Sequence, residues 1–208
     1  MIHIMDLIGV AVFAVTGALV AGRKKMDLFG VIVIANVTAL GGGTIRDVTL
    51  GTHPVFWVVD PTYVVVAVIA SLVTFISAHF ASPPLNFLLI ADAFGLAIFT
   101  IIGSQNALEA GISNLMIVVM GVMTGVAGGI LRDVLCGEIP LILRREIYAT
   151  ASLTGGLVFV VLSCAGVNEK FAIITAVIAV LAVRLAAIRW KLSLPTFNRG
   201  NAGTCGKG

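Results

Sequence analysis

Charge is scarce. Only 11% of the 208 residues are Asp, Glu, Lys or Arg, where soluble domains carry about 25%. Hydrophobic residues make up 59% of the chain, and mean hydropathy is +1.12. A soluble fold is thereby excluded, because no interior of a chain this long hides so much apolar side chain. Cysteine is nearly absent too. Cys136, Cys164 and Cys205 are odd in number and show no CxxC spacing, which excludes a disulfide framework and a zinc site. His3, His53 and His79 have no partner at metal-ligand spacing, so no structural metal is expected. A nucleophile–base pair, a Walker loop, a dinucleotide fingerprint and HExxH are all missing, which argues against an enzyme and leaves no cofactor to expect. The start of the chain also lacks the basic segment of a signal peptide, since Asp6 is the only charge before Arg23. It reads as a first membrane helix.

What is present is a series of apolar runs of about 20 residues, the length that crosses a bilayer. They fall near 3–21, 28–50, 62–80, 87–105, 114–136, 147–165 and 170–189. The expected fold is an all-α membrane protein of seven transmembrane helices forming one domain over residues 1–194. Residues 195–208, rich in Gly and Asn, read as a disordered tail. Lys and Arg set the orientation. One side of the membrane receives Arg23, Lys24, Lys25, Arg144, Arg145, Arg189 and Lys191; the other receives the Asp47–Asp60 region and Glu109. The basic side is expected in the cytoplasm, with the C-terminal tail, and the N-terminus outside. Trp57, Phe56 and Tyr63 read as interfacial anchors. Membrane lipids are expected partners; nucleic acid is not.

The chain repeats itself. Residues 6–54 align without a gap on 92–140, an offset of 92 − 6 = 86, and 15 of 49 positions are identical. The matches are mostly Gly or polar: Asp6 with Asp92, Gly9 with Gly95, Gly17 with Gly103, Thr38 with Thr124, Gly42-Gly43 with Gly128-Gly129, and Arg46-Asp47 with Arg132-Asp133. Shared hydrophobicity does not align such positions. Each unit (about 3–80 and 87–165) holds three spans. An odd number makes the two copies oppositely oriented, an inverted-repeat architecture with functional sites near the repeat interface. The seventh helix, about 170–189, stands outside the repeat.

Two features carry candidate chemistry. Gly41, Gly42 and Gly43 in span 2, with Gly128 and Gly129 in span 5, weaken the helix by about 1 kcal/mol each relative to Ala. A kink or break there opens backbone to a wet cavity. The same glycines also serve close packing, since Gly121, Gly125 and Gly129, matched by Ala35, Ala39 and Gly43, form small-xxx-small stripes. Beside each cluster lie ionisable groups that a bilayer tolerates only at a cost: Asp6, Arg46 and Asp47 at one face, Asp92, Arg132 and Asp133 at the other. Two carboxylates and one guanidinium at each end suit an acidic mouth for cations. Thr16, Thr38, Thr44, Ser104 and Thr124, with Asn36, are candidates to line the path between.

The run Gly41-Gly42-Gly43-Thr44-Ile45-Arg46-Asp47, then Gly51 and Pro54-Val55-Phe56-Trp57, resembles the prokaryotic branch of the trimeric intracellular cation channels, proteins also labelled bacterial glycine transporters. The resemblance covers about residues 4–190. Ala127 stands where a second triple glycine needs Gly. The resemblance implies a homotrimer in the bacterial inner membrane, with a potassium-permeable pore inside each protomer between the inverted halves, and sodium as a further candidate permeant ion. It carries the kinks to Gly41–Gly43 and Gly128–Gly129, and pore-associated charges to Arg46, Asp47, Arg132 and Asp133. A carrier for a small zwitterion such as glycine is the competing expectation, since inverted repeats also suit alternating access.

Overall fold

The computed structural model describes residues 2–80, 84–144 and 147–192. Every regular element among them is helical: α1 Ile2–Arg23, α2 Leu28–Leu50, α3 Phe56–Val59, α4 Thr62–Phe80, α5 Leu85–Glu109, α6 Asn114–Leu135, α7 Leu141–Arg144, α8 Ile147–Cys164 and α9 Glu169–Trp190. Six are long and apolar enough to cross a membrane, and the shorter apolar helix α4 makes the seventh. At 1.5 Å per residue, a 22-residue helix such as α1 is about 33 Å long, which matches a hydrocarbon core of about 30 Å. The expected tail at 195–208 lies outside the described residues.

Helix ends follow local chemistry. Asp27 caps α2, its carboxylate accepting from Gly30 N at 2.7 Å. Gly51 and Gly137 close α2 and α6 in the left-handed region, at φ 72° and 68°. There an L side chain is strained and glycine is not. These two glycines are mates in the repeat, and each is followed by a four-residue helix, α3 or α7.

The two halves mirror each other: α1, α2, α3 and α4 correspond to α5, α6, α7 and α8. Within each half the first helix packs along the second. Between halves, α2 lies against α6 and α1 against α5. The mates Phe13 and Phe99 meet near the centre, with ring centroids 5.1 Å apart. The seventh long helix, α9, packs on α5 and α8 of the second half, so the two ends of the bundle are not equivalent. Below, the N-terminal end is the one where α1 starts, and the basic end is the one where Arg23 and Lys24 lie.

Candidate functional site: two buried arginine–aspartate clusters

Near the N-terminal end, α2 presents Arg46 and Asp47, only 2% and 3% exposed. Nε and Nη2 of Arg46 both donate to Asp47 Oδ1 at 2.8 Å. The other carboxylate oxygen accepts the backbone N–H of Phe56 at 2.8 Å and so holds the start of α3. With its amide oriented oxygen-first, Asn106 on α5 accepts from Arg46 Nε at 3.1 Å and Nη1 at 3.0 Å. Asp6 on α1 is buried beside Arg46 and Tyr63.

Near the basic end the arrangement returns. Arg132 on α6 is fully buried. Its Nε donates to Asp133 Oδ1 at 2.9 Å, and its Nη1 to Asp92 Oδ1 at 2.9 Å and to the Thr16 hydroxyl at 3.1 Å. Asp133 Oδ2 accepts Leu141 N at 2.9 Å, holding the start of α7. Each arginine therefore reaches across the repeat boundary, Arg46 to α5 and Arg132 to α1. A charge this deep is tolerable only when paired and hydrogen-bonded, and each cluster supplies that pairing.

The structure thus gathers Asp6, Arg46 and Asp47 at one end, and Asp92, Arg132 and Asp133 at the other. Two expectations bear on this geometry. The glycine clusters do not break their helices; α2 and α6 stay helical through Gly41–Gly43 and Gly128–Gly129. Their missing side chains allow the close contact expected of small residues. A Cβ on Gly42 would overlap the carbonyl oxygen of Thr124, and one on Gly128 would overlap that of Thr38. The neighbouring stripe packs within each half: a Cβ on Gly125 would lie 2.5 Å from Thr100 Oγ1, and one on Gly17 would lie 2.8 Å from the α-carbon of Ala35. In lipid, where no water competes, close packing is a main source of helix association.

The second concerns the hydroxyls. Thr16 donates to Phe13 O, Thr38 to Ile34 O, Thr44 to Leu40 O and Thr124 to Met120 O, at 2.6–2.8 Å. A carbonyl one turn back is the nearest acceptor for a threonine in a helix, so these four hydroxyls face their own backbone in this conformation. Ser104 is buried against the Gly121 face of α6. Asn36 donates to Ile32 O at 2.8 Å.

Sequence reading missed several members. The chain has two tyrosines, and each joins one cluster. Tyr63, expected as an interfacial anchor, is buried near Asp6. Tyr148 puts its hydroxyl beside Arg132 and Asp92. Their separation, 148 − 63 = 85, differs by one from the offset of the earlier segments, and so does that of Phe56 and Leu141. A one-residue deletion in the loop hides both matches. Arg184 of α9, stacked on Tyr148 at 4.6 Å from guanidinium carbon to ring centroid, lies outside any repeat. At the basic end, a cavity of about 220 Å³ is bordered by Arg23, Lys24, Arg132, Asp133 and Glu138.

Seven apolar helices, two antiparallel halves meeting on glycine faces and a buried charged cluster near each end define a polytopic membrane protein of inverted-repeat architecture. The chain belongs to the family described as "Glycine transporter", whose model matches residues 3–79 and 89–163. It is 49% identical over 199 residues to the UPF0126 inner membrane protein YadS of Escherichia coli K12, covering 95% of this chain and 96% of that one. It is 48% identical over 198 residues to a UPF0126 membrane protein of Vibrio cholerae, covering 95% and 83%. The fold is that of solved TRIC channels. The TRIC trimeric intracellular cation channel orthologue of Rhodobacter sphaeroides superposes with TM-score 0.89 at 44% identity, over 92% of this chain and 98% of that one. A second TRIC cation channel gives 0.86 at 38% identity, over 96% and 98%.

Proposed function

We propose that this chain is a monovalent cation channel, permeable to potassium, with a path between the two halves of each protomer and three protomers in the assembly. The observation that carries this reading is the pair of arginines, each buried near one end of the bundle and each bonded across the boundary between halves. In this proposal the structure is the closed conformation. Opening parts α2 from α6 at the Gly42 and Gly128 contacts, and frees Arg46 and Arg132 from Asn106 and Thr16. The carboxylates Asp6, Asp47, Asp92 and Asp133 then draw cations toward the path, and the threonine oxygens keep lone pairs free to meet them. No bound cofactor is needed. The N-terminus lies outside and the basic end in the cytoplasm of a bacterial plasma membrane, as the placement of Lys and Arg argues. The solved relatives, named as cation channels and as trimeric, support the channel and the trimer.

The test is potassium flux and single-channel recording from purified protein in lipid bilayers. A potassium current that needs no amino acid is the expected result. Asp47→Ala and Asp133→Ala are expected to lower unitary conductance, and unchanged conductance in both would remove these carboxylates from the ion path. The family's description as a glycine transporter favours a second reading, a carrier with the same architecture. Saturable, counterflow-stimulated glycine uptake without potassium current would establish that one instead.

A further inference from the structure

The cluster near the basic end has a member with no counterpart near the other among the described residues. Arg184 is 1% exposed and Tyr148 2% exposed, and the guanidinium lies over the tyrosine ring at 4.6 Å. At the hydroxyl tip of that side chain, the bare face of Gly129 is ringed by polar atoms. The position of its absent Cβ lies 3.1 Å from Tyr148 Oη, 3.8 Å from Arg132 Nη2 and 3.8 Å from Asp92 Oδ1. Tyr148 therefore meets the arginine of α9 with its ring, while its hydroxyl shares the Gly129 face with the Asp92–Arg132 pair. Near the N-terminal end, Tyr63 packs instead on Phe56, at 4.8 Å between centroids, and on His3, at 5.6 Å, and the guanidinium over a ring there is Arg46 of the cluster itself, a longer 5.4 Å from the Phe56 centroid. A cation over an aromatic face is worth most where water is excluded, and this one is buried.

We infer that Arg184 is a positioning residue: by stacking on Tyr148 it keeps the tyrosine hydroxyl against the Asp92–Arg132 pair, and so makes the closure near the basic end harder to open than the one near the N-terminal end. The seventh helix would thus act on one half alone, giving a symmetric pair of closures unequal strength. The inference rests on the reading of the clusters as closures, but not on which solute passes.

Cys136 supplies a readout independent of transport. It is 6% exposed and lies beside Arg132 and Asp133, so its labelling by a water-soluble maleimide reports opening near the basic end. In a Cys164→Ser, Cys205→Ser background, Arg184→Met is expected to speed labelling roughly thirtyfold, the scale of a lost desolvated cation–π contact. Arg184→Lys, which keeps the cation, gives an intermediate rate. In a Tyr148→Leu background, Arg184→Met adds nothing further, because the arginine acts through the ring. In bilayers, Arg184→Met raises open probability by a similar factor with unitary conductance unchanged. An unchanged labelling rate overturns the inference, and so does an effect that persists undiminished without the Tyr148 ring. A fall in unitary conductance overturns it as well, by placing Arg184 in the ion path. If Arg184→Met fails to assemble, Arg184→Lys decides, since a labelling rate equal to wild type with lysine leaves the planar stack no role. A wild-type protein that carries no potassium current, yet shows the labelling pattern, refutes the channel and leaves the positioning role standing.

Discussion

Gly42 and Thr124 touch through their backbones: the glycine's missing Cβ is replaced by the threonine's carbonyl oxygen. The mates Gly128 and Thr38 repeat the contact across the boundary, so one approach of α2 and α6 is fixed twice. A carbonyl oxygen in a helix cannot rotate aside as a side chain can. Gly42→Ala and Gly128→Ala are each expected to destabilise the closed bundle by about 1–3 kcal/mol, the scale of an overpacked core. Gly22, near the end of α1, meets nothing within 4 Å, and Gly22→Ala should stay within about 1 kcal/mol of wild type. Thermal unfolding in detergent reads the difference, and equal melting temperatures for Gly42→Ala and Gly22→Ala would show that the contact is not tight.

The two arginine clusters predict an order of losses. Arg132 shares its charge between Asp92 and Asp133, each at 2.9 Å, inside a fully buried site. The ion pair of Arg46 within 4 Å runs to Asp47, with Asp6 acting from further off. Removing one partner of a buried pair costs about 3–5 kcal/mol, because the remaining charge is stranded. Asp92→Ala should therefore approach that range, and Asp6→Ala should cost clearly less. Chemical or thermal unfolding of the two variants checks the order, and a larger loss for Asp6→Ala would reverse the assignment.

The span limits and the repeat were legible for distinct reasons. Hydropathy sets where a helix can sit in lipid, so the run at 28–50 coincides with α2 and that at 62–80 with α4. Glycine and charge are costly in a span, so their recurrence at Gly42-Gly43 and Arg46-Asp47 exposed the duplication. The packing role of the glycines was legible in the small-xxx-small stripes, but which glycine meets which carbonyl was not, because that depends on how α2 and α6 approach each other. Nor was the partnership of Tyr148 with Arg184, which depends on α9 folding back onto α8. The Asp47 bond to Phe56 N and the Asp133 bond to Leu141 N escaped notice because a backbone donor leaves no mark in the side-chain pattern.

Acid should loosen the α3–α4 corner. Asp60 is half-buried there, and the Thr62 hydroxyl, then the Thr62 amide at 2.9 Å, hold its carboxyl below the usual carboxylate value. A depressed carboxylate contributes stability above its unfolded pKa, and that contribution fades as pH falls through the lower folded value. In a His3→Ala background, which removes the neighbouring imidazole 3.9 Å away, wild-type Asp60 should exceed Asp60→Asn in melting temperature near neutral pH. The gap should narrow below about pH 4. A gap independent of pH would mean that the carboxylate charge has no part in holding the corner.

Lys24 and Glu138 form an ion pair between the end of α1 and the segment after α6, so the link joins the two halves at the rim of the cavity beside Arg132 and Asp133. Both side chains are more than a third exposed, and an exposed pair contributes only about 0–1 kcal/mol and weakens with salt. Stability should hardly respond to Lys24→Ala or Glu138→Ala. Their coupling in a double-mutant cycle should be favourable, below about 1 kcal/mol, and should shrink between low and high salt. The exchange of charges in Lys24→Glu/Glu138→Lys should recover most of it. The cycle is read by unfolding in detergent at two ionic strengths. A coupling that is salt-independent, or that the exchanged pair does not recover, would mean that the two side chains meet by packing rather than by charge.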